Sequence, residues 1–599
     1  MPPVPAGEGR AFLGVERSLG GRRWVGALDR RGEALALAMA QRLGYPDLVA
    51  RILTARGVGE ADAAAFLEPR LRDLMPDPSR ITDMDAAAAR IADAIERRER
   101  IAIFGDYDVD GASSSALLWR YLHHFGIDAP IRIPDRVTEG YGPNPAAMRE
   151  LAEGGATLIV TVDCGTMSFE PIEEARRLGC DVVVLDHHQT GPELPAAVAL
   201  VNPNRQDDLS GLGALCAAGV VFVTLAAVSR ELRRRGRGTP PNILQWLDLV
   251  ALATVCDVVP LVGLNRAFVV QGLKVMRAQS NAGLRALAIS ARLGGPLEAH
   301  HLGFLLGPRI NAGGRIGAAH LGSNLLCLDA PAEAEALAAE LELLNAERQA
   351  MERRMVEEAE AEVAAEIGTG EGPAVLVTAS PDWHPGIVGL IAARLKERHR
   401  RPAFAIAFDE TGKGSGSGRS VAGVDLGRMV REAVSRGILQ KGGGHAMAAG
   451  VTIRRESLGA FRAFVEADAG RLGFDPGLAD ALQIDGAVSA AGLNAGLAAM
   501  LERAGPYGAG HPAPILALAR HRIGSSQIVG GSHVRATLTG ADGSRVEAIA
   551  FKAAETPVGR RLLEARDRPI HAAGTLTVDR FRGREEVRLR LLDVAEAFD

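Results

Sequence analysis

Asp181-Val182-Val183-Val184-Leu185-Asp186-His187-His188 is the stretch whose reading decides the fold. Its first five residues make a short apolar run rich in β-branching, the pattern of a parallel strand buried on both faces. A carboxylate and two imidazoles follow at once. In an open α/β sheet the carboxyl end of a strand faces the crevice where ligands bind. The plainer alternative is a surface turn that happens to hold two histidines.

Three other runs favour the crevice. Ile101-Ala102-Ile103-Phe104 leads into Gly105-Asp106-Tyr107-Asp108-Val109-Asp110-Gly111. Residues 157–162 lead into Asp163-Cys164-Gly165, and residues 249–256, also read as a strand, lead into Asp257. Carboxylates converging from four strand ends would repel one another and raise their own pKa values. One or two divalent metal ions remove that conflict.

At 599 residues the chain exceeds one core and suggests three or four domains. Its 47% hydrophobic and 24% charged content are those of a soluble globular protein. No apolar run approaches the ~18 residues of a membrane span. Residues 1–7 carry no basic flank leading into an apolar core, so no secretory signal is expected. The cysteines at 164, 180, 216, 256 and 327 have no paired spacing and suit reduced thiols in a cytoplasmic setting. Net charge is −5, which does not announce a nucleic-acid binder. Basic clusters at 233–237, 396–401 and 580–584 nevertheless leave room for a local phosphate-attracting groove.

In chain order, residues 1–45 read as a poorly ordered lead with one short helix. Residues 46–75 read as small helices, and an amphipathic helix follows at 84–98. From 101 to about 205 strands alternate with helices at 112–125, 145–153 and 169–178, with 199–201 as a further strand. That alternation is the signature of a parallel sheet covered on both faces. Residues 212–325 turn helical, with a surface loop expected at 233–241. A long charged helix spans 332–367, with Leu337, Leu341, Leu344, Met351 and Met355 on one stripe broken by Arg348. It would reach roughly 50 Å and pack along its own protein rather than in a coiled coil. A second α/β unit starts at Ala374, and short alternating strands from about 470 read as a small β-barrel.

Asp106, Asp108, Asp110 and Gly111 resemble the opening of a calcium loop, but its twelfth position requires a Glu and holds Leu117. A strand, not a helix, precedes it. What remains is a strand–loop–helix unit whose Gly111-Ala112-Ser113-Ser114-Ser115 opening offers free backbone N–H groups to an anion. Mixed Asp/His ligation favours Mn²⁺ over Ca²⁺ and leaves Mg²⁺ usable. Two ions about 3.5–4 Å apart would activate a water and neutralise a phosphate in flight.

Asp108/Asp110, Asp163, Asp186-His187-His188 and Asp257 resemble, in order, the four motifs of the DHH phosphoesterase superfamily. The resemblance implies metal ligation by Asp108, Asp110, Asp163, His187 and Asp257, with Asp106 adjacent. His188 would either support a metal ligand from behind or face the phosphate, and the catalytic set would comprise Asp108, Asp110, Asp163, His187 and His188. Many smaller members carry a His four residues before the first aspartate, where this chain has Phe104.

Residues 307–315 (Gly-Pro-Arg-Ile-Asn-Ala-Gly-Gly-Arg) are similar to a motif that RecJ-type exonucleases place beside the active site. Residues 383–389, 416–420 and 442–450 resemble the DHH-associated domain, and residues 506–512 the entry to an OB-type domain, with His511 where Asn is usual. Glycines at 416, 418 and 442–444 permit close backbone approach, and an arginine grips phosphate with two parallel hydrogen bonds. Phosphate contacts are therefore expected from Arg309, Asn311, Arg315, His384, Ser417, Arg419 and His445, with Phe581 and Arg582 as barrel contacts.

The expected fold is multidomain α/β. A parallel-sheet DHH domain (46–328, after the 1–45 extension) is joined by a connecting helix (329–370) to a DHH-associated α/β domain (371–468), with a C-terminal OB-like barrel (469–599). The implied activity is two-ion, Mn²⁺- or Mg²⁺-dependent 5′ to 3′ hydrolysis of single-stranded DNA to mononucleotides in repair and recombination. A monomer in the cytoplasm, working with a single-strand-binding protein and a DNA helicase and with no membrane, completes the expectation. The rivals are a small-substrate DHH phosphoesterase (oligoribonuclease or cyclic-dinucleotide phosphodiesterase) and a non-catalytic replication scaffold.

Overall fold

The computed structural model describes residues 10–368, 372–471, 481–564, 568–581 and 584–597. Two compact units emerge from its contacts: Pro76–Val259 with Gln271–Gly477, and Met1–Met75 with Pro260–Val270 and Leu478–Asp599.

The larger unit is built on a five-stranded, all-parallel sheet. Its spatial order is Ile131–Arg132, Ile101–Phe104, Leu158–Val162, Asp181–Leu185, Ala199–Val201. In chain order that is 2-1-3-4-5, so the direction of winding reverses between Ile101–Phe104 and Leu158–Val162. Loops at such a reversal part and open a crevice at the carboxyl ends. The apolar runs are buried through their length, as strands covered on both faces must be. Pro145–Glu153 and Phe169–Arg177 pack one face through a core that includes Phe104, Met148, Ile172 and Val184. Met84–Arg97, Val109–His124 and Ala217–Arg234 pack together as a second helical layer.

Residues 249–256 are not a strand. They lie in the helix Leu247–Cys256, buried from Leu247 to Thr254, and Asp257 is its C-cap. A run that is apolar on every face has no amphipathic period, so its pattern cannot separate buried helix from buried strand. The two-residue strand Ile131–Arg132 escaped detection because it is too short for any alternation to register.

The long helix runs Pro331–Ile367 and packs along Ala282–Ser290, Gly307–Ile316 and Val388–His399. Leu341 and Met355 are buried as the stripe predicts, but the polar Asn345, Arg348 and Glu352 are buried with them. Arg348 donates to Asn345 Oδ1 (2.9 Å) and pairs with Glu352, which also accepts from Arg394 Nε (2.9 Å). The charge that interrupts the stripe is thus paired internally. A second sheet follows, ordered Lys441–His445, Ala448–Arg454, Lys413–Arg419, Ala403–Phe408, Leu376–Ser380, with only the last pair parallel.

In the smaller unit five strands close a barrel. Leu516–Val529 pairs with both His533–Thr539 and Ile570–Phe581, while Arg545–Ala550 and Arg584–Glu596 complete the ring. The poorly ordered lead expected at 1–45 is corrected by its described part. Trp24–Gly26 is a strand paired in parallel with Leu482–Ile484, and Arg30–Leu43 is a helix of 14 residues. Trp24 is fully buried, and the buried Asp593 accepts from Trp24 Nε1 (3.0 Å), Ser18 Oγ (2.6 Å) and Gly20 N (3.1 Å). That segment lacks a clear period because it contributes to a core made elsewhere in the chain. Among the described residues no helix is long and apolar enough to cross a membrane.

Candidate metal centre

Each strand end of the first sheet presents its acid by a local device. Asp108 caps the helix Val109–His124, its Oδ1 accepting from Asp110 N (2.9 Å) and Gly111 N (3.1 Å). Asp110 accepts from Ala217 N (2.7 Å) and Ala218 N (2.8 Å) at the start of Ala217–Arg234. Asp163 ends its strand in the left-handed region at φ 61°, an uncommon conformation for a non-glycine and one that clusters at functional sites. Gly111 lies so close to Asp106 that a Cβ would stand 2.4 Å from its carbonyl oxygen, which only glycine avoids.

These devices converge. Asp106, Asp108 and Asp163 form one group of possible metal ligands, Asp110, His187 and Asp257 a second, and Asp163, His187 and His188 a third. Within each group the ligand atoms lie inside 4.8 Å of one another. His187 Nε2 stands 3.4 Å from Asp163, 3.7 Å from Asp110 and 3.8 Å from Asp257. Its Nδ1 donates to the Leu215 carbonyl (3.0 Å), which leaves Nε2 as the lone-pair nitrogen that a metal requires. Asp186, the first residue of its motif, has a different task. It accepts from Thr166 Oγ1 (2.6 Å), His187 N (2.7 Å) and His188 Nδ1 (2.8 Å), fixing the turn that carries both histidines.

The electrostatics fit a cation. Burial, then the negative charge of neighbours, raises Asp106, Asp163 and Asp257, the last to about 9. Burial likewise raises Asp110. Among the described residues Asp106 Oδ1 is buried with no hydrogen-bond partner, an orphan acceptor of the kind a metal satisfies. Phe104 is fully buried in the sheet core, and Asp106 stands beside Asp108 and Asp163. Burial alone would raise Asp186, but hydrogen bonds from His188 and Thr166 outweigh it and hold the carboxyl well below the usual range. Burial lowers His188, but Asp186 and other negative neighbours raise it to about 9.

Beside the acids stands a cluster of guanidiniums. Gly314 approaches Tyr107 so closely that a Cβ would meet the Tyr107 carbonyl at 2.7 Å, which seats Arg315 next to the Asp106–Asp110 loop. Arg315 donates to the Gly386 carbonyl (3.1 Å) and Arg419 to Ser417 Oγ (2.7 Å). Arg136 lies over the Tyr107 ring (5.1 Å). Burial, then the positive charges of Arg136, Arg348 and Arg419, lowers Arg315 to about 10, and burial with Arg136 lowers Arg419. Among the described residues none of Arg136, Arg315 and Arg419 pairs with a carboxylate. Like charges held together without direct ion pairs, with only the Asp106–Asp110 acids near them, make a site for an anion.

The other expected phosphate contacts divide. His384 Nδ1 accepts from Gly386 N (3.1 Å), in the turn whose carbonyl Arg315 holds. Asn311 is half-buried one helical turn before Arg315. His445 is exposed at the end of its strand, its Nδ1 accepting from Met447 N (3.3 Å). Arg309 departs from expectation. It is buried, paired with Glu342 and bonded to the Leu305 carbonyl (2.7 Å), so its charge is already spent. The side chain of Phe581, and Arg582, lie outside the described residues.

Sequence reasoning missed Arg136 and Tyr141, whose hydroxyl donates to the Asp163 carbonyl (2.9 Å). Both follow the short strand Ile131–Arg132, so no recognised strand end pointed to them.

A parallel sheet wound 2-1-3-4-5 gathers Asp and His donors at its switch point, as the resemblance to the DHH phosphoesterases implies. Comparison with protein families agrees: residues 100–254 match the DHH family N-terminal domain, 372–470 the DHHA1 domain and 484–593 the RecJ OB domain. The chain is 37% identical over 560 residues to the single-stranded-DNA-specific exonuclease RecJ of Dickeya dadantii (strain 3937), covering 91% of this chain and 95% of that one. It is similar in structure to RecJ from Thermus thermophilus in complex with Mn²⁺ (TM-score 0.77, 30% identity, 94% of this chain and 78% of that one). The Mg²⁺ complex of the same protein gives a TM-score of 0.72 at 29% identity, covering 94% and 77%. The chain belongs to the RecJ family.

Proposed function

We propose that this chain is a single-stranded-DNA-specific exonuclease that works from the 5′ end, releases mononucleotides and serves repair and recombination. What carries the reading is a juxtaposition within one unit: metal-type acids beside three guanidiniums that, among the described residues, form no ion pair with a carboxylate. Asp106, Asp108, Asp110, Asp163, His187 and Asp257 would hold two Mn²⁺ or Mg²⁺ ions, which supply charge neutralisation for the scissile phosphate and a lowered pKa for the attacking water.

This chain's own residues do the rest. Arg315, Arg419 and Arg136, with Ser417, grip a terminal phosphate. A terminal monophosphate carries more charge than an internal diester, so a three-cation pocket selects the strand end and sets the register of the cut. Asn311, His384 and His445 are further phosphate contacts. Asp186 keeps His188 protonated at Nδ1, so that the imidazolium steadies charge growing on a phosphate oxygen. Tyr141 braces the Asp163 backbone.

The larger unit forms the catalytic part, with residues 329–370 connecting its two sheets, and the barrel of the smaller unit captures the strand. A single-strand-binding protein and a helicase would deliver that strand to a monomeric enzyme. The complete set of metal-type donors argues against a scaffold, and the barrel domain with the match to full-length relatives argues against a small-substrate phosphoesterase.

The test is hydrolysis of single-stranded DNA labelled at either end, with Mn²⁺ and with chelator. Loss of 5′ label as mononucleotide, abolished by chelator and by Asp163→Ala while strand binding persists, is the expected result. Cleavage by purified Asp163→Ala protein would sink the assignment.

A further inference from the structure

We infer that the larger unit carries a second binding site, apart from the metal centre, for a small organic monocation with an ammonium or guanidinium head. The site is a cavity of about 350 Å³ that has Trp119, Trp246 and Asp248 among its lining residues. That volume sits at the lower end of the range for small-ligand pockets, so a short ligand is indicated.

Three observations point to positive charge. First, Asp248 is 2% exposed, yet among the described residues no side chain pairs with it. Its carboxylate accepts from the Leu249 amide at Oδ1 (2.9 Å) and from no side chain. A buried carboxylate is costly unless it is paired, and burial raises this one to about 6. Second, the charges lining the cavity do not cancel. Arg120 is the lining side chain with a fixed positive charge; it bonds Asp329 (2.8 Å) and the Leu326 and Leu328 carbonyls (2.9 and 3.2 Å) and attracts Asp248 through space without bonding it. One guanidinium thus faces two carboxylates, and one negative charge is left over when the histidines are neutral. Third, the walls suit a cation. Trp119 stacks on His123 (4.6 Å between centroids, 13° between planes), which holds the indole in place. Indole faces are the best partners for desolvated ammonium and guanidinium groups.

Asp248 and the two tryptophans play no part in the chemistry above. The site therefore stands or falls apart from the exonuclease reading.

The probe is n-butylguanidinium, with n-butylurea as its neutral isostere, added to full-length protein carrying 5-fluorotryptophan and no DNA. The chain has four tryptophans, so four ¹⁹F resonances are expected, assignable by single Trp→Phe variants. The inference expects n-butylguanidinium to move the Trp119 and Trp246 resonances saturably and leave those of Trp24 and Trp383 in place. It expects n-butylurea to do nothing. Asp248→Asn keeps an oxygen for the Leu249 amide and removes the charge, so it should weaken binding at least about tenfold with nuclease activity unchanged. Trp246→Leu should weaken binding similarly, which covers the case in which the asparagine variant folds poorly. Equal shifts with the urea, undiminished binding to Asp248→Asn, or no shift at all would each overturn the inference. So would binding of a blocked arginine peptide without n-butylguanidinium, because the site would then take a partner's side chain.

Discussion

Five buried carboxylates, three in the larger unit and two in the smaller, are treated in opposite ways. In the larger one Asp106, Asp163 and Asp257 are packed against one another, and burial with mutual repulsion drives their pKa values up. In the smaller one Asp593 is ringed by donors from Ser18, Gly20 and Trp24, with Arg22 at 3.4 Å. Asp485 there pairs with Arg56 (2.8 Å) and accepts from Ile515 N (2.8 Å). The same side chain at similar burial is thus frustrated in one place and satisfied in the other. Frustration left in a folded protein is a mark of function, because a ligand is needed to relieve it.

The sharpest way to break this contrast is to exchange activity for stability at each site. Asp163→Ala should lower hydrolysis by at least about a thousandfold, yet leave the metal-free protein as stable as wild type or more so, since it removes repulsion. Calorimetry with chelator and an end-label assay would read both, and a destabilised variant would contradict the frustrated reading. Asp593→Ala should do the reverse. Stranding the donors of Ser18, Gly20 and Trp24 should cost about 3 kcal/mol of stability in the smaller unit, while short oligonucleotides are still cut. Denaturant unfolding followed by Trp24 fluorescence checks this.

A smaller effect tests whether the smaller unit is satisfied throughout. His511 is fully buried, donates from Nε2 to the Ala504 carbonyl (2.8 Å), and is lowered to about 4 chiefly by burial. The unfolded imidazole titrates near pH 6.5. The neutral form therefore stabilises the fold above about pH 6.5, and that contribution is lost as pH falls through about 4. On the order of 3 kcal/mol is at stake. His511→Asn should flatten that part of the stability profile between those values; an unchanged profile would count against His511 as its source.

The smallest effect probes the guanidiniums. Arg315→Ala should weaken binding of a 5′-phosphorylated strand about tenfold relative to a 5′-hydroxyl strand. Arg309→Ala should leave that ratio unchanged, because Glu342 already holds its charge. If the two variants behave alike, the cluster beside the acids is not the phosphate site.

The acid half of the centre was legible because each of Asp106, Asp108, Asp110, Asp163 and His187 closely follows a buried strand, and such strands announce themselves by length and branching. Asp257 was found by its neighbours even though its approach was misread as a strand. The cationic half was only partly legible. Arg315 and Arg419 sit in glycine-rich motifs, whereas Arg136 follows a strand of two residues that carries no pattern. Arg309 shares a motif with Arg315, and a motif cannot say which of its arginines a distant Glu342 will neutralise.

From the sequence alone most elements and the strand ends that carry acid could be read, because local burial and periodicity are written in neighbouring residues, whereas the helix Leu247–Cys256 and the strands Trp24–Gly26 and Ile131–Arg132 could not. Only the tertiary structure decided that Asp106 joins Asp108 and Asp163, that Arg136, Arg315 and Arg419 meet, and that Trp24 completes a core with residues near position 482. Those pairings depend on close approaches such as Gly314 against Tyr107, and on a winding order in which segments far apart in the chain share one crevice. No local pattern encodes them.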